Sequence, residues 1–178
     1  MTWEHQLFAL LDDLEQQAEG LYSVERDLEV ADRAQAEYAQ VGAPTRLMAS
    51  VGSPVTLQVR GVGTLTGELR RVADGWCLVA SGGRQWIVRL DALNAARGLS
   101  QRSEPEVAWP VTARLGLGSA LRRIAVAGEA CQFRLVDGSQ YDVRLARVGR
   151  DFVEAFVGDE ATPALFWFAA LAAVHQRD

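Results

Sequence analysis

The stretch that decides the fold is residues 51–93, VGSPVTLQVRGVGTLTGELRRVADGWCLVASGGRQWIVRLDAL. Apolar and polar residues alternate within short runs separated by glycine turns, and this period predicts strands buried on one face. A compact run of such strands predicts a small β-barrel, because one bent sheet closing on itself lets a short chain enclose a core. The predicted strands are 55–60, 64–72, 76–80, 85–90 and 94–97, with a short helical turn at 91–93.

The N-terminal residues predict an acidic amphipathic helix over 1–41. One long helix is favoured, with a weak point at Gly20; a break into two helices near residues 20–23 is the alternative. The stripe of apolar or small residues fits packing within the chain, and it equally fits a coiled-coil contact through which the protein associates with itself or with a protein partner. Its members recur at steps of three and four: Leu7, Leu11, Leu14, Ala18, Leu21, Val24, Leu28, Ala31 and Tyr38.

The remaining sequence repeats the pattern of the first barrel. With the first barrel at 45–98, a polar linker follows at 99–112. Trp109 is predicted to pin this linker against a barrel, and a platform for a ligand is the alternative. When Gly52 is placed over Gly128, apolar positions and turns agree along the strands that follow. A slip of one residue would invert every side chain, so the agreement indicates duplication. Residues 113–178 are therefore predicted to be a helix and a second barrel. The fold class is mainly β, with an N-terminal α-helix and two tandem small β-barrels.

Charge is unevenly distributed along the chain, whose formal net charge is −5. Acidic residues dominate the predicted N-terminal helix, the remainder is mildly basic, and every basic side chain is arginine. Arginine suits carboxylate and phosphate recognition, although a GC-rich genome also explains this usage. The overall charge does not favour a general nucleic-acid or membrane binder.

Cysteine usage and the apolar runs favour a cytoplasmic protein without membrane association. Cys77 and Cys131 lie in apolar, strand-like runs, as small buried side chains do, and no disulfide framework is predicted. The N-terminus lacks the basic start of a secretory signal. The longest apolar run, 164–174, is shorter than the about 20 residues that a bilayer span needs.

The first barrel resembles the Sm-like family of small SH3-type barrels. Its residues 63–78, GTLTGELRRVADGWCL, resemble the first Sm motif through Gly63, Leu65, Gly67 and Asp74. Residues 87–93, IVRLDAL, resemble the second motif. The layout of a helix before two barrels also resembles uncharacterised actinobacterial proteins, which implies no mechanism.

The same resemblance bears on RNA binding. It places Arg89 where the family has its RNA-contacting arginine. The family's uridine-pocket asparagine falls on Leu78, and the glycine that follows the arginine falls on Leu90. An apolar side chain offers no amide hydrogen bonds to a base edge, so the resemblance implies the fold more strongly than the RNA site.

No residue pattern predicts a catalytic, cofactor-binding or metal-binding site. His5 and His175 lie at opposite ends of the chain, without cysteine or acidic partners at ligand spacing. The glycines at 61 and 63 precede a strand rather than a helix, unlike those of a dinucleotide-binding motif. We therefore expect a non-enzymatic protein with no cofactor and no metal.

Arginines and one tryptophan on the barrels are the candidate contacts with a partner. Arginine beside aromatic side chains suits the phosphates and bases of nucleic acid. We expect an adaptor or assembly module that binds another macromolecule; the alternative is a regulatory protein that binds RNA or DNA through these arginines. The candidates are Arg60, Arg71, Arg84, Trp86, Arg89, Arg147 and Arg150.

Overall fold

The structure is a computed structural model that describes residues 3–177. Inside the first helix it describes the backbone alone at residues 4–10, 12, 13, 18, 21, 23–25 and 27. The chain divides into two compact units, residues 1–41 and residues 42–178.

The first unit is one continuous helix, α1, which spans Trp3–Tyr38. The prediction of a single long helix is confirmed, since Gly20 does not interrupt it. The described members of the predicted apolar stripe are exposed: Leu11, Leu14, Leu28, Ala31 and Tyr38. The side chains of the other stripe members, Leu7, Ala18, Leu21 and Val24, lie outside the described residues.

The second unit contains two helices and ten strands. The helices are α2, Ala43–Met48, and α3, Leu117–Ala127. Strands of the first half, which we define as residues 43–97, are β1 Pro54–Val59, β2 Gly63–Ala73, β3 Trp76–Ser81, β4 Arg84–Arg89 and β5 Leu93–Arg97. Strands of the second half, residues 117–176, are β6 Ala130–Leu135, β7 Gln140–Val148, β8 Phe152–Val157, β9 Thr162–Trp167 and β10 Leu171–Gln176.

All ten strands join in a single antiparallel sheet. Their order is β5-β1-β2-β3-β4-β10-β6-β7-β8-β9, so the halves meet where β4 pairs with β10. The fold is mainly β with a few helices. Neither half closes on itself by strand pairing within residues 3–177, so the prediction of two separate barrels is not confirmed. Alternation in a sequence predicts which face of a strand is buried, but it does not predict which edge finds a partner.

The two halves contain the same elements in the same order and register. Each has a helix, four strands, a 3₁₀ turn and a last strand. A β-bulge lies between Leu69 and Arg71 in the first half and between Leu145 and Arg147 in the second. Placing Gly52 over Gly128 also aligns these bulges. Because a bulge adds a residue to one strand only, its shared position shows that the registers agree.

Two apolar clusters fill the second unit. The first surrounds Leu57 and Leu69, and the second surrounds Leu121 and Phe133. Trp76 belongs to the first half but packs in the second cluster, while β10 contributes side chains to both clusters. The halves therefore share their apolar core.

Two glycines permit close approaches of the backbone. A Cβ at Gly67, in β2, would overlap the carbonyl of Ala80 on the neighbouring strand. A Cβ at Gly61, whose φ is 73°, would overlap the carbonyl of Leu135 in the second half. The turn between β1 and β2 therefore presses against the end of β6.

The linker is held by hydrogen bonds to its own backbone and to α2. The indole N–H of Trp109 donates to the carbonyl of Glu104 at 2.8 Å. The backbone N–H of Glu104 donates to the carbonyl of Thr45 at 3.0 Å, and Arg46 donates to the carbonyl of Ser100. The Trp109 indole thus bonds within the linker itself, and the bonds to α2 are made through Glu104 and Ser100. The prediction that Trp109 pins the linker against a barrel is not confirmed.

Candidate binding groove and free sheet edges

A groove of about 710 Å³ lies between α3 and the strands β2, β3 and β4. We call it the arginine groove. Its lining combines cationic and aliphatic side chains from both halves of the unit. The side chains that define it are Arg70 and Arg71 on β2, Leu78 on β3, Ile87 on β4, and Arg123 and Ile124 on α3.

Strand pairing and one tryptophan position the groove. The antiparallel register of β3 and β4 places Leu78 opposite Ile87, so two aliphatic side chains lie side by side. Trp76 is buried, and its indole N–H donates to the carbonyl of Leu115 at 2.8 Å. This bond fixes the segment that leads into α3, and α3 ends at Gly128 in the left-handed conformation that glycine favours.

The charge of the groove is positive. Arg71 and Arg123 are exposed, and neither has a hydrogen-bond or ion-pair partner within residues 3–177. Arg70 forms an ion pair with Glu68 at 3.0 Å, with both side chains exposed. No carboxylate lines the described groove. Two of its three arginines are therefore available to an anion.

The matching position in the second half is neutralised. Arg147 occupies the place of Arg71, and it pairs across the strands with Glu154. The guanidinium donates to the Glu154 carboxylate at 2.8 Å from Nε, and a second nitrogen lies 2.7 Å from the same oxygen. In the first half, the position of Glu154 belongs to Leu78. The difference between Leu78 and Glu154 thus decides whether the arginine opposite is paired.

A narrower groove of about 180 Å³ shares Leu78, Ile87 and Ile124 with the arginine groove. It ends at His175, which is buried in β10. The His175 ring packs against Trp86 at a tilt of 39°, with ring centroids 4.1 Å apart.

Each ring nitrogen of His175 lies within hydrogen-bond distance of an oxygen, and the neutral ring has one N–H with which to donate. Nε2 lies 3.1 Å from the side-chain oxygen of Gln132, and Nδ1 lies 2.9 Å from the carbonyl of Gln176. Burial is the main cause that lowers the pKa of His175, and Arg84 and Arg134 lower it further. The Gln176 carbonyl and Asp142 oppose this shift.

The structure separates the seven contact residues predicted from the sequence. Arg71 lies in the arginine groove, while Trp86 is half-buried against His175. Arg60 lies in the turn after β1, Arg84 at the start of β4 and Arg150 in the turn after β7, and all three are exposed.

Arg147 and Arg89 form ion pairs within the chain. Arg147 is paired with Glu154. Arg89 donates to the carbonyls of Phe168 and Leu171 at 2.6 and 3.2 Å and to the carboxylate of Asp91 at 2.8 Å. Arg89 therefore connects β4 to the second half across the pairing of β4 with β10, which we call the joint.

Sequence reasoning missed Arg70 and Arg123 as groove residues. Arg70 adjoins Arg71, but its role depends on which face of the bulged strand meets α3. The signal for Arg123 was the Arg122-Arg123 pair in an otherwise apolar helix. Neither signal predicts that α3 lies beside the first half.

Both cysteines are buried, and burial raises the pKa of Cys77 and of Cys131 to about 12. Each side chain is therefore a neutral thiol at physiological pH. Among the residues that the structure describes, no group of three or more His, Cys, Asp and Glu residues is arranged to hold a metal ion.

Two strands keep an unpaired edge. Within residues 3–177, β5 pairs only with β1, and β9 pairs only with β8. On β9, the exposed fractions of Leu165 and Trp167 are 42% and 61%. Beside β5 lies an apolar pocket of about 350 Å³ whose lining includes Leu47, Leu90 and Leu93.

No model of a known protein family matches the chain, and no curated protein matches it. Neither α1 nor any other described helix combines the length and the apolar character that a bilayer crossing requires.

Proposed function

We propose that the protein is a non-enzymatic assembly module whose copies join head to tail through their free sheet edges. The observation that supports this is the joint between the halves, where β4 pairs with β10. The counterparts of these strands are β9 and β5, the two strands with an unpaired edge in the described chain. An exposed edge is a template for another strand. Pairing of β9 with β5 of a second copy repeats the internal joint.

The internal joint supplies a register for this contact. Trp86, Ile87 and Val88 lie opposite His175, Val174 and Ala173. The corresponding residues place Ala164, Leu165 and Phe166 of one copy opposite Arg97, Ala96 and Ala95 of the next. Pro163 precedes this ladder, so its missing N–H removes no hydrogen bond from it.

Trp167 has a matching place at the proposed contact. It corresponds to Arg89, which donates to the carbonyls of Phe168 and Leu171 at the internal joint. The counterparts of these two residues are Leu90 and Leu93, which line the apolar pocket beside β5. The tryptophan ring suits this pocket, and its indole N–H replaces the donor that Arg89 supplies at the joint.

The proposed contact joins two different surfaces, so it is heterologous. Such contacts produce closed rings when the rotation between copies closes, and filaments when it does not. Either form presents the arginine groove many times on one rigid scaffold. This repetition suits an assembly module. A cytoplasmic location stays a prediction from the sequence.

We also propose that the two halves are a duplicated Sm-like unit. The shared element order, the shared bulge and the equal registers of β1 with β5 and β6 with β10 support the duplication. Leu57 lies opposite Ala96 in one half, and its counterpart Phe133 lies opposite Val174 in the other. The resemblance of the first half to the Sm-like family extends to the second through this correspondence.

Self-association through α1 is the second candidate. Leu11, Leu14 and Leu28 are exposed on a helix of 36 residues, and burying such side chains against a second helix is favourable. The two candidates differ in which substitution removes the assembly.

The test is the mass of the protein in solution, measured by light scattering during gel filtration. The wild type is expected to contain several chains, and Leu165→Arg is expected to reduce the mass by placing a charge at the pairing edge. Phe156→Arg is the matched control, because Phe156 has the same exposed fraction of 42% but lies on β8, inside the sheet.

Three results bear against edge pairing. A wild type that is a single chain at all concentrations contradicts it, as does an equal loss of mass in Leu165→Arg and Phe156→Arg. Assembly that survives Leu165→Arg but is lost in Leu14→Asp assigns the contact to α1 instead.

A further inference from the structure

We propose that the arginine groove binds an acidic peptide segment that presents an aliphatic side chain between carboxylates. This binding site is independent of the proposed assembly through the sheet edges, since none of the groove's defining residues lies on β5 or β9. The inference rests on two features of the groove: its arginines and its aliphatic floor, which we define as Leu78, Ile87 and Ile124.

The aliphatic floor favours a branched apolar side chain. Leu78, Ile87 and Ile124 are each half-buried, and Ala120 widens the floor on the α3 side. Each has apolar surface left in contact with water, and covering this surface stabilises a complex. The volume of about 710 Å³ accommodates a short peptide segment.

The cations around this floor favour carboxylates. Arg71 and Arg123 come from different elements, β2 and α3, and neither is engaged within the described residues. A guanidinium presents a planar fork of donors that matches a carboxylate. Carboxylates on both sides of an apolar residue therefore meet both arginines when that residue enters the groove.

The floor distinguishes a peptide from a nucleic acid. Single-stranded nucleic acid binds by stacking its bases on exposed aromatic faces. The only aromatic side chain in the described lining is Trp76, which is buried and whose N–H is occupied by the carbonyl of Leu115. Aliphatic side chains offer no stacking platform, so the groove suits a peptide better.

The second half shows what removes such a site. There Glu154 pairs with Arg147, so the corresponding arginine is neutralised and a carboxylate stands where Leu78 provides apolar surface. Leu78→Glu is thus expected to abolish binding for two reasons: the carboxylate pairs with Arg71, and it repels an acidic ligand.

The probe is a fluorescein-labelled peptide DELLDE, whose affinity for the full chain is measured by fluorescence anisotropy at low salt. Exchanging both arginines, Arg71→Gln with Arg123→Gln, is expected to weaken binding about tenfold, since each exposed ion pair contributes modestly. Arg147→Gln is the matched control and is expected to leave affinity unchanged. Both arginine exchanges are at exposed positions, so folding is preserved and is checked by the unfolding temperature.

Leu78→Glu is the second protein variant, and it is expected to remove binding of DELLDE. The control peptide DESSDE, which lacks the leucines, is expected to bind the wild type more weakly than DELLDE does. Equal affinity for DELLDE and DESSDE overturns the aliphatic part of the proposal. Undiminished binding in the double arginine variant overturns the site. Binding of a labelled oligouridylate in preference to DELLDE, lost in the same variant, replaces the peptide by a nucleic acid.

Discussion

The two halves of the sheet have the same elements and registers but different surroundings. In the first half, β4 is covered along its edge by β10, and Arg71 faces Leu78 beside an aliphatic groove. In the second half, β9 has an unpaired edge in the described chain, and Arg147 is neutralised by Glu154. One framework thus has a cationic groove in one half and an unpaired strand edge in the described part of the other.

This difference shows that very few positions change the surface chemistry of one framework. The substitution of leucine for glutamate opposite an arginine changes a closed ion pair into a cationic, apolar surface. Pairing with a neighbour, rather than composition, decides whether an edge is hidden. Each apolar cluster contains side chains from both halves, so a substitution in the core of one half also affects the packing of the other.

Gly61→Ala tests how closely the halves are joined, and it should have the largest effect. A Cβ at this position overlaps the Leu135 carbonyl, and a left-handed φ of 73° is unfavourable for alanine. The overlap adds about 1–3 kcal/mol to a left-handed penalty of about 1–2 kcal/mol. Urea denaturation of the variant measures the loss of unfolding free energy.

Gly75→Ala is the control for this variant. Gly75 has nearly the same φ, 74°, but a Cβ there meets no atom within 4 Å. It is expected to cost only the left-handed penalty of about 1–2 kcal/mol. Equal losses in both variants show that the turn and β6 do not touch as described.

His175 provides a smaller test of the joint through pH. Because burial lowers its pKa in the folded state, the folded protein binds this proton less readily than the unfolded chain. Its contribution to stability is therefore complete above the unfolded pKa of about 6.5 and is lost as the pH falls below that value.

The measurement is the unfolding free energy from urea titrations at neutral and mildly acidic pH. The fall in stability over this range is expected to be smaller in His175→Gln than in the wild type. The corresponding exchange in the first half, Arg97→Gln, changes no group that titrates in this range and serves as control. An identical pH dependence in wild type and His175→Gln shows that His175 is not held neutral at the joint.

Much of the fold was predictable, because local pattern determines local structure. The period-two alternation predicted the strands and their buried faces, and the alignment of Gly52 with Gly128 predicted the register that both halves share. The pairing of β4 with β10 was not predictable. Backbone groups at a sheet edge are the same for every sequence, so the choice of partner depends on the whole chain.

The candidate site was predicted only in fragments. Arg71 was selected as a contact, and it lies in the groove. The family resemblance predicts Arg89 as an RNA contact, yet its guanidinium is directed to carbonyls across the joint. Arg123 was missed, since its place depends on how α3 lies against the first half. Charge and spacing identify candidates, whereas tertiary packing decides which of them meet.

The most direct test of edge pairing is a disulfide between chains at the proposed register. Ala96→Cys and Leu165→Cys are prepared as separate proteins, mixed and oxidised; the native Cys77 and Cys131 are buried thiols with a pKa of about 12. We predict a cross-linked pair that contains one chain of each variant. A mixture of Ala96→Cys with Phe156→Cys should remain uncross-linked. Cross-linking that is equally efficient in both mixtures, or absent from both, contradicts head-to-tail assembly through β5 and β9.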